Sequence, residues 1–367
     1  MTRFLRNALL TLLLIVALLW LLAWQSSWQA EPREVLPVAC TGPAKPLVPG
    51  QALKVMTWNV QYLAGKRYVF WYDEGAGSDT RPTSQDLAFN LDEVARVIRA
   101  EAPDLVLLQE LDNNAKASDY QDQLALLRER LADLYPCAVQ TYEWKADFVP
   151  DRHIAGSVGR TLATLSRYPI EQARRISLPS NSSHVLSRLL HPQHAILASY
   201  LPLTDGSKLA VLNTRLARYE QGSDLQRQQL ERVVRLLDKL EGQGTSWLIG
   251  GDFNLLPLGQ YRRLSPEQRQ HYAPDSDLHL LWDKYPMIPS NAEASGAERA
   301  DWLTHFPNDT RLQGPDRTLD YLFHSPKLKR VKAQVLQQDT LEISDHLPVM
   351  ARLLLPEPPE PTLEPAQ

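Results

Sequence analysis

Cysteine is almost missing from this chain. Cys40 and Cys137 are the only two among 367 residues. Neither stands in a Cys-x-x-Cys pattern, which excludes a thiolate zinc cluster and a thioredoxin-type site. Two is an even count, so one disulfide and two unrelated thiols both stay open. An excess of positive charge is lacking as well: 39 Lys and Arg against 43 Asp and Glu leave a formal charge of −4. That excludes a polybasic protein holding nucleic acid by bulk charge, while leaving room for a site where metal ions meet a phosphate. No internal repeat appears at solenoid periods. Proline is plentiful, 27 residues against 16 glycines, which predicts rigid linkers and capped loops. With 44% hydrophobic residues the chain can build a substantial core. Its length suits one large domain with attachments, or two modest domains.

Only one long stretch lacks charge, from Asn7 to Ala30, and its most apolar part runs from Ala8 to Trp24. A helix needs about 20 apolar residues to cross a bilayer, so residues 1–30 predict a single transmembrane anchor with Trp24 and Trp28 at the interface. Arg3 and Arg6 precede it and place the N-terminus in the cytoplasm. The protein is then a single-pass inner-membrane protein with its remaining domain periplasmic or extracellular. A cleaved signal peptide is the competing reading, but cleavage after Ala30 would put Trp28 where a small residue is preferred. Residues 31–52 carry Pro32, Pro37, Pro43, Pro46 and Pro49 and read as a semi-rigid tether. Residues 356–367 form an acidic, proline-rich tail expected to be disordered.

Between tether and tail, 53–355, short apolar runs alternate with helical stripes. Leu53–Val60, Asp104–Leu108, 158–166, 194–201, 207–213, Trp247–Ile249, Leu319–Phe323, Val331–Gln338 and Val349–Leu354 read as strands. Leu87, Leu91, Val94 and Ile98 mark a helix that Ser84 could cap. Leu124, Leu127, Leu131 and Leu134 mark a second helix, and 223–241 a third. Strands outnumber helices, which fits an α+β protein of two sheets packed face to face with helices outside better than one doubly wound sheet.

Polar residues recur at the ends of these strands: Asn59; Gln109-Glu110; Asn213-Thr214-Arg215; Gly250-Gly251-Asp252-Phe253-Asn254; Asp320; and Ser344-Asp345-His346. Gathered at one sheet edge, carboxylates and an amide oxygen suit a hard divalent cation, Mg²⁺ or Mn²⁺. A histidine beside a carboxylate is oriented and made more basic by it. An Asp and an Asn two residues apart can orient a water and stabilise a developing anionic oxygen. Such parts serve metal-assisted hydrolysis of a phosphate ester. Singly each has a plainer explanation, since an Asp after Gly-Gly is usually a turn residue and a lone His can be a satisfied core imidazole.

Thr57-Trp58-Asn59, Leu108-Gln109-Glu110, Gly250-Gly251-Asp252-Phe253-Asn254, Leu319-Asp320-Tyr321 and Ser344-Asp345-His346 together resemble the endonuclease/exonuclease/phosphatase family. The resemblance covers roughly residues 53–355, with Leu165–Ile170 as a further landmark. It implies a four-layer αββα sandwich of two packed mixed sheets, here preceded by the transmembrane helix, and an Mg²⁺- or Mn²⁺-dependent phosphodiesterase or phosphatase. By position it implies Glu110 as the main metal ligand, with Asn59 and Asp345 in the metal's environment. Asp252 becomes the residue that orients or deprotonates the attacking water, and Asn254 the holder of phosphate and nucleophile. His346 contacts the scissile phosphate and Asp320 orients it. One departure stands out: many relatives have His where this chain has Arg215. Arginine stays protonated and donates a proton poorly, but it can grip phosphate bidentately. Arg215 is therefore expected to clamp the phosphate, or else only to pair with a surface carboxylate.

The substrate is a phosphate ester, nucleic acid or lipid headgroup, left undecided by the motifs; no protein partner is inferred. Lys66–Tyr72, with four aromatics and two cations, can stack bases or sit at a headgroup layer, and Trp144, Phe148 and Arg152 make a weaker case. Ser223 reads as a plain helix cap. His191 and His194 flank a proline and do not read as a zinc site. Lys327, Lys329, Arg330 and Lys332 read as a solvated strand edge. A function of a different class is a catalytically weak protein that binds a phosphorylated ligand in the same cleft, with Arg215 as its main support.

Overall fold

Leu53 and Val55 face one way along their strand, Met56 and Trp58 the other, as a two-residue pleat requires. Leu105 and Leu107 alternate likewise with Val106 and Leu108, and Leu209 and Val211 with Ala210 and Leu212. The first members of these sets join one core with Leu197, Leu248 and Leu322. The second members from the N-terminal strands pack on Leu91, Val94, Ile98, Leu124 and Leu127, and Ala210, Leu212, Trp247 and Ile249 pack on Leu230, Val233 and Leu237. One apolar layer therefore lies between two sheets and one lies outside each, under helices: a helix–sheet–sheet–helix sandwich. Burying each such Leu or Val contributes about 1.5–3 kcal/mol, and both faces of the central strands are used.

In this computed structural model residues 2–26, 28–68, 81–151, 153–180, 191–309 and 311–357 are described. Val69–Tyr72 of the aromatic segment, Arg152, and 358–367 of the tail lie outside them. The strands are β1 (Arg33–Leu36), β2 (Ala39–Cys40), β3 (Ala52–Asn59), β4 (Leu105–Asp112), β5 (Cys137–Val149), β6 (Gly156–Ser166), β7 (Gln172–Ser177), β8 (Ala195–Pro202), β9 (Lys208–Arg215), β10 (Ser246–Asp252), β11 (Met287–Ile288), β12 (Asp320–His324), β13 (Lys329–Val335) and β14 (Val349–Leu354). One sheet has the order β13-β14-β3-β4-β6-β5-β2 and the other β1-β7-β8-β9-β10-β12-β11. β3 with β4, and β9 with β10, are parallel, so the sheets are mixed and the C-terminal ends of each pair fall on one edge. The longer helices are α1 (Thr2–Ser26), α2 (Ser84–Glu101), α3 (Gln123–Arg130) and α4 (Leu225–Gly242). The cap of α2 is Thr83 rather than Ser84: Thr83 and Asp86 form a reciprocal capping box. Helix α3 stops at Arg130, with Leu131 as its C-cap. Asp224, not Ser223, is the N-cap of α4.

The transmembrane expectation is corrected. Among the described residues no helix is long and apolar enough to cross a membrane. Residues 2–26 do form a helix, but helical continuity is not a span. Arg3, Arg6, Asn7 and Thr11 interrupt its N-terminal turns with charged and polar side chains, against the ~20 apolar residues that hydrocarbon demands. The single-pass membrane location, the membrane as a partner, and the periplasmic or extracellular placement rest on that span and go with it.

Residues 31–52 are also not a bare tether. β1 pairs with β7 and β2 with β5, both at sheet edges. There Pro32 and Pro37 bracket a four-residue strand at positions where proline's missing N–H is tolerated. The fully buried Arg175 secures this segment, donating to Glu31 O and Gln193 O and lying over the Trp28 ring at 4.8 Å. Cys40 stands opposite Cys137 in the β2–β5 register, and the two form a disulfide across 97 residues. Closing a loop of that length contributes about 4–5 kcal/mol in the chain-entropy model. Cys40→Ser, at the exposed end, should lower the urea-unfolding free energy by that order, and the parent protein should show no free thiol when unfolded without reductant.

Candidate active site

Sheet register builds the site. In the second sheet Asp252 lies beside Arg215 on β9 and opposite Asp320 on β12, so three chemically active residues form one row across three adjacent strands. Gly250 and Gly251 belong to β10 rather than to a turn. A Cβ on Gly251 would stand 1.8 Å from Thr214 O, and this close approach of backbones sets the row. In the first sheet Asn59 is registered with Gln109. Glu110 is the extra residue of a bulge between Gln109 and Leu111, with φ +58°. Bulges re-aim side chains beside active sites, and this one turns Glu110 inward. The sheets are tied at this edge by buried amides: Gln109 Nε2 donates to Asn213 Oδ1 at 2.7 Å, and Asn213 Nδ2 donates to Leu108 O and Ala163 O.

The segment before β14 is strapped onto the same edge. Ser344 Oγ donates to Asn59 O at 2.8 Å, Trp58 Nε1 to His346 O at 2.9 Å, and Asp345 N to Gln61 Oε1 at 3.0 Å. These bonds explain why Thr57-Trp58-Asn59 and Ser344-Asp345-His346 work as one unit despite nearly 290 residues between them.

Asp252 is the hub. Its Oδ1 accepts from Asn254 N at 2.9 Å, and its Oδ2 accepts from Asn59 Nδ2 and Asn254 Nδ2, both at 3.2 Å. The same Oδ2 lies 3.5 Å from Arg215 Nε and 3.9 Å from His346 Nε2. Asn254 is left-handed, φ +52°, which folds its side chain back over Asp252 and lets Nδ2 also reach Leu216 O. Asn59 spends its amide on Asp252 and, through Oδ1, on Gln61 N–H. His346 Nδ1 meets Asp320 Oδ2 at 2.8 Å, and Thr304 Oγ1 donates to that same oxygen. Burial opposes a charge on His346, but Asp320, Asp252 and Asp345 outweigh it and lift its pKa to about 10. Burial likewise raises the Asp320 carboxyl, to about 6, against the pull of His346. At neutral pH the pair is an imidazolium and a carboxylate.

Glu110 and Arg215 form a buried ion pair, Oε1 to Nη2 at 2.6 Å. Burial pushes the Glu110 carboxyl up, opposed by Arg215, Arg218 and His346. The Arg215 guanidinium thus turns to Glu110 and Asp252. A cleft of about 190 Å³ opens above, lined among others by Arg218, Tyr219, Asn254, His305, Asp345 and His346. All eight sequence-predicted residues come together at this edge, but only Asn254, Asp345 and His346 of them line the cleft wall. Three residues were not legible in the sequence. His305 lies edge-on to His346 with ring centroids 4.6 Å apart, its Nε2 3.8 Å from Asp345 Oδ2. Burial, then His346 and Arg317, depress its pKa far below the usual value, so it is neutral. Thr304 braces Asp320, and Arg218 borders the cleft. All three sit in irregular segments without periodic pattern, and Thr304-His305-Phe306-Pro307 offers no signal beyond a lone histidine.

The donors suit a divalent cation chemically. Ligand atoms of Asp252, Asp320 and His346 lie within metal-binding distance of one another, those of His305, Asp345 and His346 form a second such group, and the buried Glu110 belongs to neither. Residues 56–346 match the model of the endonuclease/exonuclease/phosphatase family. The chain belongs to that family. The endonuclease/exonuclease/phosphatase class is one of phosphoric-ester hydrolases, commonly using divalent metals, so hydrolysis is the class of chemistry that goes with this cleft. Among solved structures, an endonuclease/exonuclease/phosphatase from Beutenbergia cavernae is 22% identical, covering 83% of this chain and 72% of its own, with a TM-score of 0.56. The human Nocturnin catalytic domain with bound sulfate is 17% identical, over 89% and 99% of the two chains, at 0.52. TDP2 from Caenorhabditis elegans is 17% identical, over 84% and 76%, at 0.51. These likenesses concern the fold. No curated protein matches the chain.

Proposed function

We propose that this protein is a divalent-metal-dependent phosphodiesterase or phosphatase, acting through residues 53–355 on a phosphate ester of nucleic acid or a phospholipid headgroup. The observation that carries the reading is the convergence on Asp252 Oδ2 of Asn59, Asn254, Arg215 and, at 3.9 Å, the Asp320-held His346. Asp252 accepts the proton of an attacking water, and Asn254 fixes Asp252 and borders the phosphate position. His346, kept cationic and oriented by Asp320, supplies charge to the phosphoryl oxygens as negative charge develops there. Arg218 adds a second cation at the cleft wall. Glu110, with Asp345 and the Asn59 amide nearby, would hold Mg²⁺ or Mn²⁺. When bound, such an ion supplies Lewis-acid stabilisation of the phosphoryl group. Arg215 contributes its fixed charge from beneath.

The test is hydrolysis of bis-p-nitrophenyl phosphate, followed by a panel of single- and double-stranded DNA, RNA, sphingomyelin and phosphoinositides. Hydrolysis should require Mg²⁺ or Mn²⁺, stop on chelation and resume when the metal is restored. The competing reading, a catalytically weak binder, draws on one observation: Arg215 already occupies Glu110. Binding of a phosphorylated ligand without turnover in any metal would favour it.

A further inference from the structure

His305 has no part in the hydrolysis proposed above, yet it stands beside two residues that do. His305, Asp345 and His346 all line the cleft, and their ligand atoms lie within 4.8 Å of one another. Backbone pairing holds them there. His305 is opposite His346 in an antiparallel bridge, with Phe306 N donating to Asp345 O at 2.8 Å and Leu347 N to Thr304 O at 2.7 Å. Side chains directly opposite across such a bridge share a face, and the two rings meet edge-on with centroids 4.6 Å apart. His305 Nε2 stops 3.8 Å from Asp345 Oδ2, too far for a hydrogen bond. Two ligands of one Zn²⁺, each about 2.1 Å from it, stand about 3.4 Å apart at the tetrahedral angle, so a small shift closes this pair on an ion. His346 is prepared on its other side: Nδ1 meets Asp320 Oδ2 at 2.8 Å, and Thr304 Oγ1 braces that oxygen. A metal-ligating imidazole is ordinarily held by a carboxylate in this way. The group of Asp252, Asp320 and His346 differs. Neither Asp252 nor Asp320 lines the cleft, and the Oδ2 of each already has hydrogen-bond partners.

We infer that His305, Asp345 and His346 form a transition-metal site at the cleft wall that takes Zn²⁺ in preference to Mg²⁺, and that its occupation inhibits hydrolysis. Two imidazoles and a carboxylate suit Zn²⁺, whereas Mg²⁺ takes oxygen ligands. Zn²⁺ replaces the proton on His346 Nε2, which leaves to water. His346 then has no N–H for the phosphoryl oxygens, and Asp345 is withdrawn from the cation at Glu110. The inhibitory half of the inference rests on the roles proposed above for His346 and Asp345; the binding half does not.

Zn²⁺ binding to the full-length protein, measured by competition with a chromophoric chelator, tests the site without any turnover. His305→Gln should bind Zn²⁺ more weakly than the parent by about tenfold or more, since losing even an outer partner of a metal ligand costs about 10–100-fold. Its Mg²⁺ affinity should be unaltered. X-ray absorption of the zinc-loaded parent should show two imidazole ligands, a result that needs no variant to fold. A parent that binds no Zn²⁺, parent-like Zn²⁺ affinity in folded His305→Gln, or fewer than two imidazoles on the ion overturns the site. With bis-p-nitrophenyl phosphate and saturating Mg²⁺, Zn²⁺ should inhibit the parent. Inhibiting His305→Gln, relative to its own uninhibited rate, should need about tenfold more Zn²⁺ or beyond. Zinc binding that leaves Mg²⁺-supported hydrolysis untouched overturns the inhibition alone. Hydrolysis absent in every metal, beside a His305-dependent zinc site, overturns the proposed function and the inhibition and leaves the site standing.

Discussion

Asp252→Asn should lower kcat by about 10²–10⁴-fold, the range a positioned general base supplies, with little change in KM. The substitution keeps the volume of a side chain that is 1% exposed, so the sheet register of Asp252 with Arg215 and Asp320 should survive. What it removes is an oxygen pair that accepts three hydrogen bonds from the backbone of Asn254 and the amides of Asn59 and Asn254. An amide at that point must turn one nitrogen toward those donors and cannot take a proton from water. The effect should be non-additive with Asn254→Ala, because both act on the same oxygen. Single-turnover rates on bis-p-nitrophenyl phosphate, with circular dichroism as the control for folding, decide it. A kcat within tenfold of the parent would remove Asp252 from the proton transfer.

Short apolar runs such as Leu53–Trp58 and Leu105–Leu108 exposed the strands, because a strand buried on both faces reads as a near-continuous apolar run, but which layer each residue faces is set by the pleat seen in the structure. The site was legible for a related reason. Asn59, Glu110, Arg215 and Asp252 stand at strand ends, and parallel neighbours put those ends on one edge. The bulge that aims Glu110 was not legible, since Gln109-Glu110-Leu111 carries no glycine to announce a left-handed residue. Nor was the Arg215–Glu110 pair, which depends on two strands in different sheets meeting side chain to side chain. The difference at residues 31–52 has a similar origin: prolines mark an extended chain, but only the edges of β5 and β7 decide whether that chain is free or paired. At the N-terminus composition misled in the opposite direction, because apolar content and helicity do not by themselves make a membrane span.

Asp320→Asn should also slow turnover by about 10²–10³-fold, and it makes a second, independent mark on stability. Asp320 Oδ2 faces His346 Nδ1 at 2.8 Å and is itself braced by Thr304 Oγ1. An amide there can keep the Thr304 contact but no longer offsets an imidazolium. Burial disfavours the His346 charge, and the carboxylates of Asp320, Asp252 and Asp345 are what raise its pKa to about 10. A histidine raised in the folded state binds its proton more tightly there than when unfolded, at about 6.5. Its contribution to stability is therefore complete below about pH 6.5 and is lost as pH rises toward 10. The parent protein should lose unfolding free energy steadily across that interval. In Asp320→Asn the folded-state pKa of His346 falls toward its unfolded value, so the alkaline loss should shrink even though the variant starts from lower stability at pH 7. Urea midpoints at pH 7 and pH 10 for both proteins give the comparison. Equal losses in the two would mean that Asp320 does not hold the proton on His346, and the charge assigned to that imidazole at the phosphate would have no source.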